Sequence, residues 1–135
     1  MSPTIPASIL VVLHLPAGGT SALADIADYG RNLQQGISRI LSARKIVHSF
    51  TGQPALMGLF FAEKPPSNYR GWLKSDYDFY DALAPNLHDE SVLVEPDSRE
   101  PWFLCEAHTV DCLDETLRRF ERAVDTTLEM THKQA

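Results

Sequence analysis

Chemistry at a protein site needs a nucleophile, a proton carrier or a held ion, and this chain offers few residues for any of them. Its four lysines are Lys45, Lys64, Lys74 and Lys133. A reactive amine requires burial or a neighbouring cation to lower its pKa. Lys45 closes a helical pattern, Lys64 precedes Pro65, Lys74 lies in a mixed helix and Lys133 is in the tail, so each reads as a solvated side chain. The histidines His14, His48, His88, His108 and His132 are scattered and have no metal-ligand spacing. Cys105 and Cys112 lack both CxxC spacing and a partner cluster, and read as reduced, partly buried thiols. No serine lies in a G-x-S-x-G elbow, and the glycines of the first helix are not followed by the G-K-[ST] of a phosphate loop. Glu100 stands out more. Its carboxylate lies just before a predicted strand, between Arg99 and Pro101, where it can orient an amine or a water molecule.

The elements that must position these residues follow from periodicity. Residues 1–20 carry three prolines and two glycines and read as an extension, ordered in part, with a short strand at residues 9–13. A long helix is expected over residues 22–44, capped by Ser21, with Leu23, Ile26, Gly30, Leu33, Ile37, Ile40 and Leu41 on one stripe. Strands are expected at 46–50 and 56–62, joined by a turn at 51–54. The apolar run of the second makes it a central strand. A helix over 70–87 has the stripe Leu73, Tyr77, Tyr80, Leu83, Ala84 and Leu87, and Pro85 should end or kink it. Short strands at 92–94 and 102–107 flank a polar link. The last helix places Leu113, Leu117, Phe120, Val124 and Leu128 on one face, with Thr109 as its cap. These elements predict an α+β fold, a small mostly antiparallel sheet with about three helices packed on one face. The domain spans residues 21–131, with a tail at 132–135.

Composition limits the partners. The formal net charge is -6, and the tightest basic group, Arg118, Arg119 and Arg122, is interleaved with acids as on a solvated helix. No basic patch suits a nucleic-acid backbone, so no nucleic-acid partner is expected. No apolar run approaches the length needed to span a bilayer, so no membrane partner is expected, and reduced cysteines point to the cytoplasm.

Three segments together resemble the small C-terminal domain of class III pyridoxal-phosphate-dependent aminotransferases, in particular glutamate-1-semialdehyde aminomutase-like members. Gly30-Arg-Asn-Leu-Gln-Gln-Gly-Ile37 is similar to the family's G-x-x-L-x-x-G-hydrophobic helix. Leu56-Met-Gly-Leu-Phe-Phe61 is similar to its M-F-G-L-F-F strand. Glu100-Pro-Trp-Phe-Leu-Cys-Glu-Ala-His-Thr109, followed by Asp111, is similar to its E-A-G-F-x-S-x-A-H-T-x-x-D segment. The resemblance covers about three quarters of the chain and implies the fold of the C-terminal domain of fold-type I enzymes. It also implies that Glu100 reaches toward a substrate cleft and that Arg99 can imitate the family's substrate-carboxylate arginine. His108 and Thr109 match the family too, as a strand end and a helix cap.

In that family the Schiff-base lysine, the aspartate on the pyridine nitrogen and the phosphate-binding loops lie upstream of the matched region. The expectation is therefore a domain that supplies a cleft wall, binds no pyridoxal phosphate by itself, has no catalytic, cofactor-binding or metal residues of its own, and is inactive alone. Its expected partner is a large pyridoxal-phosphate-binding domain. The alternative is a non-catalytic interaction or homodimerisation module that has kept the fold and uses an exposed sheet face or Trp72, Tyr77, Phe79, Tyr80 and Trp102.

Overall fold

The structure, a computed structural model, describes residues 5–103 and 110–134, and side chains over 24–102 and 112–131. In chain order the elements are α1 (Ile5–Ala43), β1 (Ser49–Gln53), β2 (Leu56–Phe60), α2 (Tyr69–Trp72), α3 (Tyr77–Asp89), β3 (Trp102–Phe103) and α4 (Val110–Gln134). The fold is α+β, with an antiparallel sheet in the order β1-β2-β3.

The first helix is longer than its periodicity suggested. Residues 9–13 are helical, not a strand, and Ser21 lies inside α1 and does not cap it. An apolar run without alternation does not separate strand from helix. Pro6 falls in the first turn, where a missing amide donor costs the helix nothing. Beyond Ala43 the chain closes with a left-handed residue, Lys45 (φ 58). The amide of Ile46 returns to the Leu41 carbonyl at 2.9 Å and that of Lys45 to Ser42 at 3.0 Å. This double bond pattern satisfies the last carbonyls of the helix. Residue 46, expected to open a strand, therefore belongs to a helix stop, and β1 begins at Ser49.

β1 and β2 form a hairpin in which Gln53 pairs with Leu56, so the connection is Pro54-Ala55. Thr51 and Gly52, expected in the turn, are paired strand residues. Gly52 has φ +83, and a Cβ there would lie 2.5 Å from the Leu56 carbonyl oxygen. β2 is the central strand, as its apolar run predicts. Its alternation turns Met57 and Leu59 to the core, joined by Phe61 just past its end.

The expected helix at 70–87 is two helices. The Asp76 amide bonds to the Phe61 carbonyl at 2.9 Å, and its carboxylate accepts from the Phe79 amide at 3.1 Å, which starts α3 afresh. Leu73, placed on the core stripe by spacing, is 45% exposed in this break. Pro85 does not end α3, which runs on to Asp89. The donor it lacks would have served the Asp81 carbonyl, and both residues are on the exposed side of the helix, where an unmade bond is not buried. Residues 92–94 are not a strand. Val92 bonds back to Leu87 at 2.8 Å past the left-handed Ser91 (φ 64), closing α3 as Lys45 closes α1.

Helices α1, α3 and α4 enclose one core with the sheet. Ile37, Leu41, Leu59, Leu83, Leu87, Phe120 and Val124 are essentially inaccessible. Two glycines of α1 permit close approach. A Cβ on Gly30 would stand 2.1 Å from the Pro54 oxygen, and one on Gly36 2.4 Å from Leu117 Cδ1. Between α3 and α4 the Asn86 amide donates to Thr127 Oγ1 at 2.8 Å, and that hydroxyl donates to the Ala123 carbonyl at 2.8 Å.

Candidate functional site

The site candidates Arg99 and Glu100 lie on a turn between α3 and β3, and buried side chains below hold that turn. Tyr80, 1% exposed, donates its hydroxyl to the Glu95 carbonyl at 2.7 Å and accepts from Trp102 Nε1 at 2.9 Å. Burial pushes the Tyr80 phenol up to about 12, so it stays a neutral donor. Ser98 is buried, and Trp72 Nε1 donates to its hydroxyl at 2.8 Å.

The Arg99 guanidinium bonds to both Asp97 carboxylate oxygens, at 2.6 Å from Nη2 and at 3.0 and 3.1 Å from Nε. Its Cζ also sits 4.8 Å from the Trp72 ring and 5.8 Å from the Tyr69 ring. Trp72 stacks on Tyr77 at 4.6 Å, so the cation rests on an aromatic shelf. The Arg99 hydrogen bonds hold the Asp97 carboxyl below its ordinary value. Glu100 is exposed; its amide donates to the Asp97 carbonyl at 3.0 Å, and among the described residues its carboxylate makes no hydrogen bond. The two candidates thus share one turn but differ in state, Arg99 engaged and Glu100 open.

Sequence reasoning missed Asp97, Ser98 and Trp72 as the supports. The available signal was the Pro-Asp-Ser-Arg run, because an aspartate that accepts from an amide two residues on makes a local turn, as Asp97 does with the Arg99 amide at 2.9 Å. The aromatic surface proposed for a partner is partly overturned. Phe79, Tyr80 and Trp102 are buried in the core, whereas Trp72 and Tyr77 are half-buried and Tyr69 is exposed.

Lys45, Lys64 and Lys74 are exposed, and the Lys133 side chain lies outside the described residues. Cys105, His108 and Thr109 also lie outside them, as does the remainder of the expected strand at 104–107. Among the described residues no group of three histidine, cysteine or acidic side chains could hold a metal. A cleft of about 360 Å³ between α1 and α4 is lined by charged side chains, among them Arg44, which pairs with Glu121 at 2.9 Å, and Arg118, which pairs with Glu115 at 2.7 Å.

Sequence comparison places this geometry in context. Glutamate-1-semialdehyde 2,1-aminomutase of Hydrogenobaculum sp. (strain Y04AAS1) is 31% identical over 76% of this chain and 26% of that protein. The enzyme of the same name from Thermoplasma acidophilum is 35% identical over 68% of this chain and 22% of that protein. The chain is a small-domain relative of these aminomutases. It spans about a quarter of the length of the curated aminomutases it matches.

Among solved structures, the FumI protein of Sphingopyxis sp. MTA144, in its PLP internal aldimine form, superposes on 82% of this chain with a TM-score of 0.66 and 27% identity, over 24% of its own length. An omega-transaminase from Sphaerobacter thermophilus shares the fold, with a TM-score of 0.73 over 84% of this chain at 16% identity. No protein-family model matches the chain. Among the described residues no helix is long and apolar enough to cross a membrane.

Proposed function

We propose that the chain is the C-terminal small domain of a class III aminotransferase- or aminomutase-like protein and forms one wall of its substrate cleft. The observation that carries this reading is the match to about a quarter of the aminomutases and of the FumI structure, on the fold found here. The turn of Arg99 and Glu100 is the cleft-facing element, and the open carboxylate of Glu100 is its working group. The partner is a large domain that binds pyridoxal phosphate, and the compartment is the cytoplasm.

Bound pyridoxal phosphate would act as an electron sink for the amino-group chemistry. The residues described here do not fit it, because Lys45, Lys64 and Lys74 are all exposed and none has the buried setting of a Schiff-base amine. No step on the cofactor is assigned to this chain. Titrating the purified chain with pyridoxal phosphate, reducing with borohydride and mapping peptides by mass tests the reading. The expected result is no saturable adduct. Saturable labelling of one lysine would overturn it.

A further inference from the structure

An arginine followed directly by a glutamate has an ion-pair partner next door, yet the guanidinium here turns to Asp97. The pairing with Asp97 is bidentate, the geometry in which a planar fork best matches a carboxylate. The opposite side of the same turn is held by Trp72, whose indole N–H bonds to the buried Ser98 while its ring face carries Arg99. Trp72 is itself fixed by stacking on Tyr77. One aromatic side chain thus grips the turn twice, once by its edge and once by its face.

We propose that Arg99 is a positioning residue. Clamped between the Asp97 carboxylate and the faces of Trp72 and Tyr69, it fixes the turn of residues 97–100 so that the Glu100 carboxylate stays open at a defined place on the surface. This rests on the reading of Glu100 as a cleft-wall residue. Arg99 acts through the turn, and its charge is spent within the fold. A mobile turn would let the Glu100 carboxylate swing toward Arg99 and neutralise it. The Asp97 pair occupies an edge of the guanidinium, so Glu100 acts on Arg99 through space without a hydrogen bond, and the bond from the Glu100 amide to the Asp97 carbonyl sets the backbone from which the carboxylate projects.

The test is amide hydrogen exchange by NMR on the full chain, with the indole N–H resonances of Trp72 and Trp102 as two local reporters. In Arg99→Met, which keeps an apolar stem, exchange at the Glu100 amide should rise roughly three- to thirty-fold, the range set by one exposed cation–π contact and one exposed ion pair. The Trp72 indole signal should move while that of Trp102 stays in place. Arg99→Lys keeps the charge without the planar fork and should fall between the parent and Arg99→Met.

Exchange in Arg99→Met within about two-fold of the parent would overturn the proposal, since that is less than the ion pair and the cation–π contact supply together. Equal behaviour of the lysine and methionine variants would overturn it too. If Trp102 also moves in Arg99→Met, Asp97→Asn decides, because it retains the ring contacts and the local turn bond. Faster exchange at Glu100 there supports the clamp, and unchanged exchange rejects it. The exchange data read the turn and the lysine labelling reads the domain assignment, so either can fail alone.

Discussion

Tyr80 bonds to the Glu95 carbonyl and to the Trp102 indole, so one phenol joins α3, the turn-bearing loop and β3. Tyr80→Phe keeps the ring but leaves a buried indole N–H without its partner, which should cost about 1–3 kcal/mol in urea denaturation. The same phenol gives a pH dependence. Burial raises both Tyr29 and Tyr80 from 10.0 to about 12. The folded state therefore disfavours tyrosinate relative to the unfolded chain. The stabilisation is complete below pH 10 and disappears as pH rises toward 12. Urea midpoints measured across that range should fall, and less so in Tyr80→Phe, where only Tyr29 remains. A midpoint that does not change from pH 10 to 12 would contradict this. At this scale the sequence displayed Glu100 and Arg99, but not which carboxylate the arginine would take. That choice depends on Ser98 being buried under Trp72, a contact between residues 26 positions apart.

At the scale of elements, α1 and α3 end alike, on non-glycine residues in left-handed conformation, Lys45 and Ser91. A side chain there costs on the order of 1 kcal/mol that glycine avoids. Lys45→Gly and Ser91→Gly should each stabilise the fold by about 0.5–1 kcal/mol after the added freedom of the unfolded chain is counted, as a rise in thermal midpoint. An unchanged or lower midpoint would show that the closing turns are not strained. These stops explain several misplaced boundaries. Lysine and serine carry no stop signal comparable to glycine, so residues 46–48, ahead of β1, and 92–94 read as strand where the chain is still leaving a helix. Gly52 produced the opposite error, since a glycine inside a paired strand reads as a turn. The stripes of α1 and α4 were legible because long amphipathic helices repeat their pattern over many turns. The break between α2 and α3 was not, because it hangs on one distant carbonyl, that of Phe61.

For the molecule as a whole, surface ion pairs link segments distant in sequence. Arg44, just past the end of α1, bonds to Asp125 at 2.6 Å, and Arg122 of α4 to Glu90 at 3.0 Å. Hydrogen bonds from arginines hold Asp97, Glu115 and Asp125 below their ordinary pKa values, while burial moves Asp81 the other way. For the three depressed carboxylates the stabilisation is present above the ordinary carboxylate range and is lost as pH falls through their folded values. Stability should therefore decline in acid, and added salt should flatten the decline because these groups are exposed. Urea midpoints against pH at low and high salt check this; a midpoint rising in acid would refute it. The α+β class and the central position of β2 were legible in the sequence, since both rest on apolar patterning. The spacing of the three matching segments also carried the relation to the aminomutases, because residues that pack one small sheet keep their order even where identity is low.

The Asn86–Thr127 bond sits in an otherwise oily seam between α3 and α4. Greasy side chains repeating every three or four positions would tolerate α4 sliding by one turn, since each ridge would find another groove. A slipped helix would break the bond between them and leave each group only its tie to its own helix, Asn86 to the Ala82 carbonyl at 3.2 Å and Thr127 to the Ala123 carbonyl at 2.8 Å, a loss of about 0.5–1.5 kcal/mol. The pair therefore acts like the notch on a key. It adds little to how tightly the helices adhere, but it dictates the single depth at which they lock.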